Sequence, residues 1–405
     1  MSILAVSMPR VVRGLSLGAV LAVAAITLVA IPNRAQAQQT SAEFSEKYNA
    51  GATAYKARNL SEAAKEAKEA KAVAKTAYEK QAALKLMVAV SGASGNYADL
   101  SDALEGLLAT DGVSAAEKVT FHKTLAQAYG QLKRVDKSIA EWKEYIKASG
   151  GTPADWDNLA NLYGATKDCP NALQALEKAK AGKAANESQL KIEQSCYYKK
   201  DNDKYLAVTE EMVHRFPSKL SYTQVLGAYQ DKKLDELAML AVLRYGFEHD
   251  YLDDEAYFLK YADYALDVGA TAEAQKVIEK GLAKKVVKAG DKSDRLLKQA
   301  KDRAAEDAKT LSQADAEARA GKNGESDAHL GLRYYNVGQY DKAVEALNRA
   351  LSADRVARIK RPDDAKMVLG IAYSKLKKKA EADKAFNDAK SDPRMTAAAR
   401  LWLGA

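Results

Sequence analysis

Residues 152–180 read TPADWDNLANLYGATKDCPNALQALEKAK. Trp156, Leu159, Ala160 and Tyr163 recur at helical spacing and so share one face of a helix. The run Lys167-Asp168-Cys169-Pro170-Asn171 stops that helix, and Ala172, Leu176 and Ala179 start the apolar face of another. Small Ala160 and Ala172 allow close approach of the two helices, and bulky Trp156, Tyr163 and Leu176 fill the space around them. One such hairpin cannot cover its own apolar face, so it must stack on neighbours.

The neighbours are present in both directions. Leu330-Gly331, Tyr334, Gly338, Tyr340, Ala343, Leu347 and Ala350 repeat the order of residue types. Leu369-Gly370, Tyr373, Ala382, Phe386 and Ala389 repeat it again, and Leu403-Gly404 follows 34 residues after Leu369-Gly370. A small or apolar residue at the middle of each first helix marks the period: Gly51, Val88, Ala126, Ala160, Gln194, Leu226, Ala262, Leu297, Gly331, Gly370 and Gly404. A fixed period of this size identifies a solenoid. Copies over 43–77, 81–116 and 187–218 are degenerate. The segment 289–323 is the weakest, with charges alternating among alanines and no turn glycine before Gly321. Leu296, Leu297, Ala300 and Ala304 keep helical spacing there, which predicts an irregular charged helical hairpin, with a flexible charged linker as the alternative.

The pattern Trp-x2-Leu-Gly-x2-Tyr followed by Ala-x3-Phe-x2-Ala resembles the tetratricopeptide repeat. Residues 153–186 match every signature slot except the turn glycine. The resemblance implies an all-α, right-handed superhelical solenoid of antiparallel helix pairs that binds protein segments in its groove. Residues 331–350 and the closing Ala398, Arg400, Leu401 and Trp402 are also similar to a group of exported repeat proteins of Gram-negative bacteria. That likeness implies protein binding, associated in some members with outer-membrane transport or envelope assembly.

Composition agrees with helices and with export. Of 405 residues 47% are hydrophobic and 29% charged, with only 23 Gly and 7 Pro. Arg10 and Arg13 precede an apolar run from Leu15 to Ile31, and Ala35-Gln36-Ala37 supplies a small-residue cleavage site. The expected organisation is therefore a signal peptide over 1–37, an N-terminal array over 38–288, the charged segment 289–323, and C-terminal repeats with a capping helix over 324–405. The expected location is the periplasm. An uncleaved membrane anchor is the alternative use of the apolar run, and would make the chain a membrane-tethered structural protein. Removing residues 1–37 leaves 59 basic against 54 acidic side chains, a net +5 too small and too dispersed for nucleic acid.

No catalytic constellation, cofactor fingerprint or metal-ligand spacing stands out. His122, His214, His249 and His329 each lie in a different repeat. Gly14-Leu15-Ser16-Leu17-Gly18 imitates a nucleophile elbow, but inside the apolar leader with no strand before it. Many carboxylates are present without a pair selected for glycan hydrolysis, so neither an enzyme nor a small-molecule substrate is expected. Cys169 in a turn and Cys196 near the end of the next first helix are candidates for a disulfide. The free-thiol alternative treats both as small apolar residues.

First-helix residues facing away from the packing positions form the candidate groove: Lys123, Gln127, Asp157, Asn158, Asn161, Lys191, Tyr198, Thr223, Gln230, Asp263 and Tyr335, with Ser195 and Asp267 beside them. Their mixed polarity suits an extended peptide or a helix edge from a protein partner in the cell envelope. Some tetratricopeptide members clamp a terminal carboxylate with Lys, Asn, Asn, Lys and Arg. Here Ser188 and Ile192 stand in the two later cationic slots, which removes that ligand class. Tyr251, Tyr257, Tyr261 and Tyr264 cluster with Phe258, either as an aromatic binding patch or as packing.

Overall fold

The computed structural model describes residues 40–321 and 323–403. The expected leader and cleavage site over 1–37, and Gly404, lie outside the described residues. Those described form helices joined by short turns, with no strand among them, and divide after Cys196 into two compact units. The division falls at that point rather than at the charged segment 289–323, which lies within the second unit.

In the first unit, α1 (Ala42–Lys56) pairs with α2 (Leu60–Val73), α3 (Ala77–Ser94) with α4 (Tyr97–Leu108), and α5 (Ala115–Gln131) with α6 (Val135–Ser149). Then α7 (Pro153–Ala165) pairs with α8 (Cys169–Lys180), and α9 (Glu187–Tyr197) carries the chain to the unit's last residue, Cys196. These are the antiparallel helix pairs expected from the sequence, and the signature positions Leu159, Ala160, Tyr163, Ala172, Leu176 and Ala179 are buried where the pattern requires.

Each hairpin turn needs one residue with left-handed backbone, normally glycine. Gly95 serves at φ 69°, but elsewhere the position is occupied by Arg58 (60°), Lys133 (58°) and Lys167 (61°). The glycine missing from the best copy is thus replaced by a lysine in the same conformation. The second helices then start on capping side chains, with Asn59, Asn96 and Asp168 accepting from the backbone N–H three residues on.

The second unit contains α10 (Asn202–Arg215), α11 (Lys219–Asp231), α12 (Glu236–Glu248), α13 (Glu255–Asp267) and α14 (Thr271–Ala283). It continues through α15 (Asp291–Gly321), α16 (Gly324–Asn336), α17 (Tyr340–Ala350), α18 (Pro362–Lys375), α19 (Lys379–Lys390) and α20 (Thr396–Trp402). Close helix approach explains two of the marker glycines. A Cβ on Gly331 would lie 2.5 Å from Leu347, and one on Gly370 2.4 Å from the Phe386 ring.

Two features of this unit depart from a simple array. The segment expected as a hairpin is one continuous helix of 31 residues, α15. Between Gly290 and Gly321 no glycine or proline interrupts a run of strong helix formers, so nothing supplies a turn. The second departure is closure of the unit on itself. Arg400 of α20 donates from Nη2 to Glu210 Oε1 of α10 over 3.0 Å, and Trp402 Nε1 donates to the Ala241 carbonyl of α12 over 2.8 Å. Helix α12 is buried on every face from Ala238 to Phe247, as expected of a helix enclosed by others.

Candidate protein-binding face

The candidate face in the first unit is built on α5, α7 and α9, the first helices of successive repeats. Their N-termini are fixed by reciprocal caps. Ser114 pairs with Glu117, Thr152 with Asp155, and Asn186 with Gln189, each pair exchanging hydrogen bonds between side chain and backbone.

The third residue of each cap also receives the preceding repeat. Lys85 Nζ lies 2.6 Å from Glu117 Oε1, Lys123 Nζ 2.8 Å from Asp155 Oδ1, and Gln189 Nε2 donates to Asp157 Oδ1 over 2.7 Å. All three pairs are 32 residues apart in the chain. They are the rungs of one ladder, which sets the stagger of one first helix against the next. Burial pushes the Asp155 carboxyl up, but Lys123 and the Thr152 hydroxyl and N–H outweigh it and hold the group below its ordinary range. In the first rung, Lys85 and the Ser114 hydroxyl and N–H hold the Glu117 carboxyl down at about 2.

Two candidate groove residues, Lys123 and Asp157, are therefore rungs. Lys123 also lies over the Tyr145 ring, 4.9 Å from its centre. Asn161 donates from Nδ2 to the Asp157 carbonyl over 2.7 Å and accepts from Ser188 Oγ at 3.2 Å, so it too spans α7 and α9. Around these fixed groups stand half-buried Gln127, exposed Asn158 and exposed Ser195. Exposed Lys191 pairs with Glu187 along its own helix at 2.6 Å. The face is dominated by amides and hydroxyls with orientations set from behind. Ile192, in one of the slots a carboxylate clamp would use, is buried against Gly164.

The remaining groove candidates belong to the second unit. Tyr198 is exposed and tilts against Tyr205, with ring centres 5.4 Å apart. Thr223 is spent on the Lys219 carbonyl at 2.8 Å, and Gln230 accepts from Tyr257 at 3.2 Å. Asp263 is half-buried. Tyr335 is not a groove residue: it is buried beneath the Arg244 guanidinium, 5.7 Å from the ring centre.

Arg244 itself forms the polar centre of this unit. Its Nε and Nη2 each reach Glu273 at 2.8 Å, and Tyr261 Oη adds a bond to Glu273 at 2.6 Å. Two parallel bonds of this kind satisfy a buried charge pair well enough to offset much of its desolvation. The aromatic cluster belongs to the same interior. Tyr261 and Phe258 are buried, Phe247 meets both rings edge-on, and Tyr251 packs against Tyr222 at 5.7 Å. An arginine inside the apolar run 237–247 was the available sign of this centre.

The histidines remain apart. His122 Nδ1 meets Glu141 Oε2 at 2.6 Å, while His214 Nε2 lies 3.2 Å from the Leu401 carbonyl. Among the described residues no three His, Cys, Asp or Glu side chains gather as metal ligands, and no helix is long and apolar enough to cross a membrane. The Cys169 and Cys196 sulfurs are bonded, with Cα atoms 5.3 Å apart, joining the start of α8 to the end of α9.

No protein-family model matches the chain, and no curated protein matches it in sequence. Solved structures do resemble it. A tetratricopeptide repeat protein from Parabacteroides merdae is similar at 12% identity and TM-score 0.33, over 64% of this chain and 99% of that one. A structure of Naa15/Naa10 bound to HypK-THB is similar at 16% identity and TM-score 0.39, over 86% of this chain. In that second case the likeness spans about half of the other chain, 53%.

Proposed function

We propose that this chain is a non-catalytic scaffold of the periplasm that holds an extended segment of a partner protein along α5, α7 and α9. The observation that carries the reading is the row of amide and hydroxyl side chains at Gln127, Asn158, Asn161 and Ser188, supported from behind by the Lys123–Asp155 and Asp157–Gln189 rungs. Amides offer both a donor and an acceptor, the pair that a polypeptide main chain presents in return. Rungs that fix the spacing of those amides before binding reduce the ordering needed when a segment docks. The cations Lys123 and Lys191 are already paired with Asp155 and Glu187, which disfavours an acidic tail.

The periplasmic part of the proposal rests on Arg10, Arg13, the apolar run to Ile31 and the Ala35-Gln36-Ala37 site. N-terminal sequencing of the protein purified from a Gram-negative host tests it: cleavage predicts a first residue of Gln38, and an intact leader would support the tethered alternative. Binding is tested by scanning the mature chain against arrays of synthetic peptides drawn from envelope proteins. Peptides bound by the native chain should lose at least tenfold in affinity to Asn158→Ala/Asn161→Ala. Undiminished binding by that variant would remove the face from the account.

A further inference from the structure

Helix α9 closes the first unit with unusually little apolar contact. Its buried side chains are Gln189, Leu190, Ile192, Gln194 and Cys196, two of them amides. By comparison α5 buries Phe121, Leu125, Ala126, Ala128 and Tyr129. An element held by so few buried apolar side chains opens at lower cost than its better-packed neighbours. Polar ties connect α9 to the preceding hairpin through Gln189–Asp157, Ser188–Asn161 and the Glu193–Lys180 ion pair. The disulfide from Cys196 to Cys169 is its one covalent tie among the described residues outside the main chain.

The two sulfurs are not equally protected. Cys196 is buried, whereas Cys169 is half-buried at the first position of α8, close to exposed Thr166 and Lys167 in the preceding turn. We propose that Cys169–Cys196 is an exchangeable clasp on the binding face: reduction by an external dithiol releases α9, and with it Ser188, Gln189 and Lys191, while α1–α8 stay folded. The regulatory meaning of this step rests on the proposed function of the face; the release of α9 does not.

The exchange balances with a dithiol reductant, either a periplasmic dithiol oxidoreductase or a small dithiol. One thiolate of the reductant attacks Cys169 Sγ, the accessible sulfur, and Cys196 leaves as a thiolate that takes up a proton. The second thiol of the reductant then displaces Cys169, whose sulfur is protonated in turn. The reductant becomes a disulfide, having given up two electrons and two protons, and the chain gains two thiols. Removing a cross-link of this span raises the open population of the helix it holds by about a hundredfold.

Amide hydrogen exchange of the full mature chain, with and without dithiothreitol, tests the clasp without any ligand. The proposal expects exchange across 187–197 to accelerate by about a hundredfold on reduction, with α5 and α7 unchanged, and to return on reoxidation. Cys169→Ser/Cys196→Ser should show the fast pattern in both conditions. Equal protection of α9 before and after reduction would overturn the proposal. So would loss of protection throughout the first unit, which would make the bond a global staple. Binding of any array-selected peptide by oxidised and reduced chain forms a separate arm: if no peptide binds in either state, the function reading fails while the exchange result still decides the clasp.

Discussion

Gln189 Nε2 donates to Asp157 Oδ1 over 2.7 Å, joining the first helices of consecutive repeats at the same relative positions as Lys123 and Asp155. One of the two residues belongs to a helix cap and the other to the candidate face. The stagger of the array and the orientation of the face are thus set by the same contact. Replacing both partners should show coupling: a double-mutant cycle with Asp157→Ala and Gln189→Ala, followed by urea unfolding, is expected to give an interaction of about 1 kcal/mol. Additive effects would mean the rung does not hold the repeats in register.

Helix spacing gives a second expectation. Gly331 and Gly370 face Leu347 and Phe386 with room for hydrogen only, so Gly331→Ala and Gly370→Ala should each lower stability by about 1–3 kcal/mol. Gly227, within α11, has nothing within 4 Å of its added Cβ. Gly227→Ala should therefore raise stability by about 0.5–1 kcal/mol through helix propensity. Thermal unfolding of the three variants separates close packing from propensity, since propensity alone would stabilise all of them.

The left-handed turn at Lys167 makes a prediction of the opposite kind. Its φ of 61° suits glycine better than lysine. Lys167→Gly should stabilise the first unit by about 0.5 kcal/mol, the left-handed cost relieved less the extra freedom of glycine in the unfolded chain. Calorimetry that finds the variant less stable would show that the lysine side chain contributes more than its backbone conformation costs.

Asp364 supplies a pH dependence. Burial pushes its carboxyl up, the nearby Arg244 charge only partly counters this, and Oδ1 has no hydrogen-bond partner. A carboxyl whose folded pKa lies above its unfolded value, about 3.9, favours the fold most when protonated. That contribution is complete below the unfolded value and is lost as pH rises through the folded one. Asp364→Asn keeps the group neutral, so it should be more stable than the native chain at pH 7 by about 1 kcal/mol, with the difference vanishing toward pH 3. Urea titrations at the two pH values check this, and a variant less stable at pH 7 would show that the ionised carboxylate is favoured in place.

The hairpins were legible because their cause is local: apolar residues at helical spacing, small residues where helices touch, and a turn every 34 residues or so. Even the imperfect turn at Lys167 preserved its neighbours Leu159, Tyr163, Ala172 and Leu176. Over 289–323 the array periodicity implies a hairpin, but the run holds no turn-forming residue between Gly290 and Gly321 and folds as the single helix α15. Closure of the second unit depends on pairs such as Glu210 and Arg400, separated by 190 residues, and no local spacing encodes such a meeting. The spacing that puts Tyr335 in the groove fails for the same reason, since only the closed unit places Arg244 over its ring. On the face itself, Lys123, Asp157 and Asn161 could be assigned to first helices, but their partners in the next repeat emerge only once the caps at Asp155 and Gln189 are in place.

The central claim is that a partner segment lies along α5, α7 and α9, and site-specific photo-crosslinking in living cells tests it most directly. A photoreactive residue replaces Asn158 on the face or, as control, exposed Lys143 on α6. The account predicts discrete adducts from position 158 that map to an extended segment of the captured protein and none from 143. It further predicts that a synthetic peptide of that segment binds the native chain at least tenfold more tightly than Asn158→Ala/Asn161→Ala. Identical adducts from both positions, or a mapped peptide that binds native and variant chains equally, would contradict it.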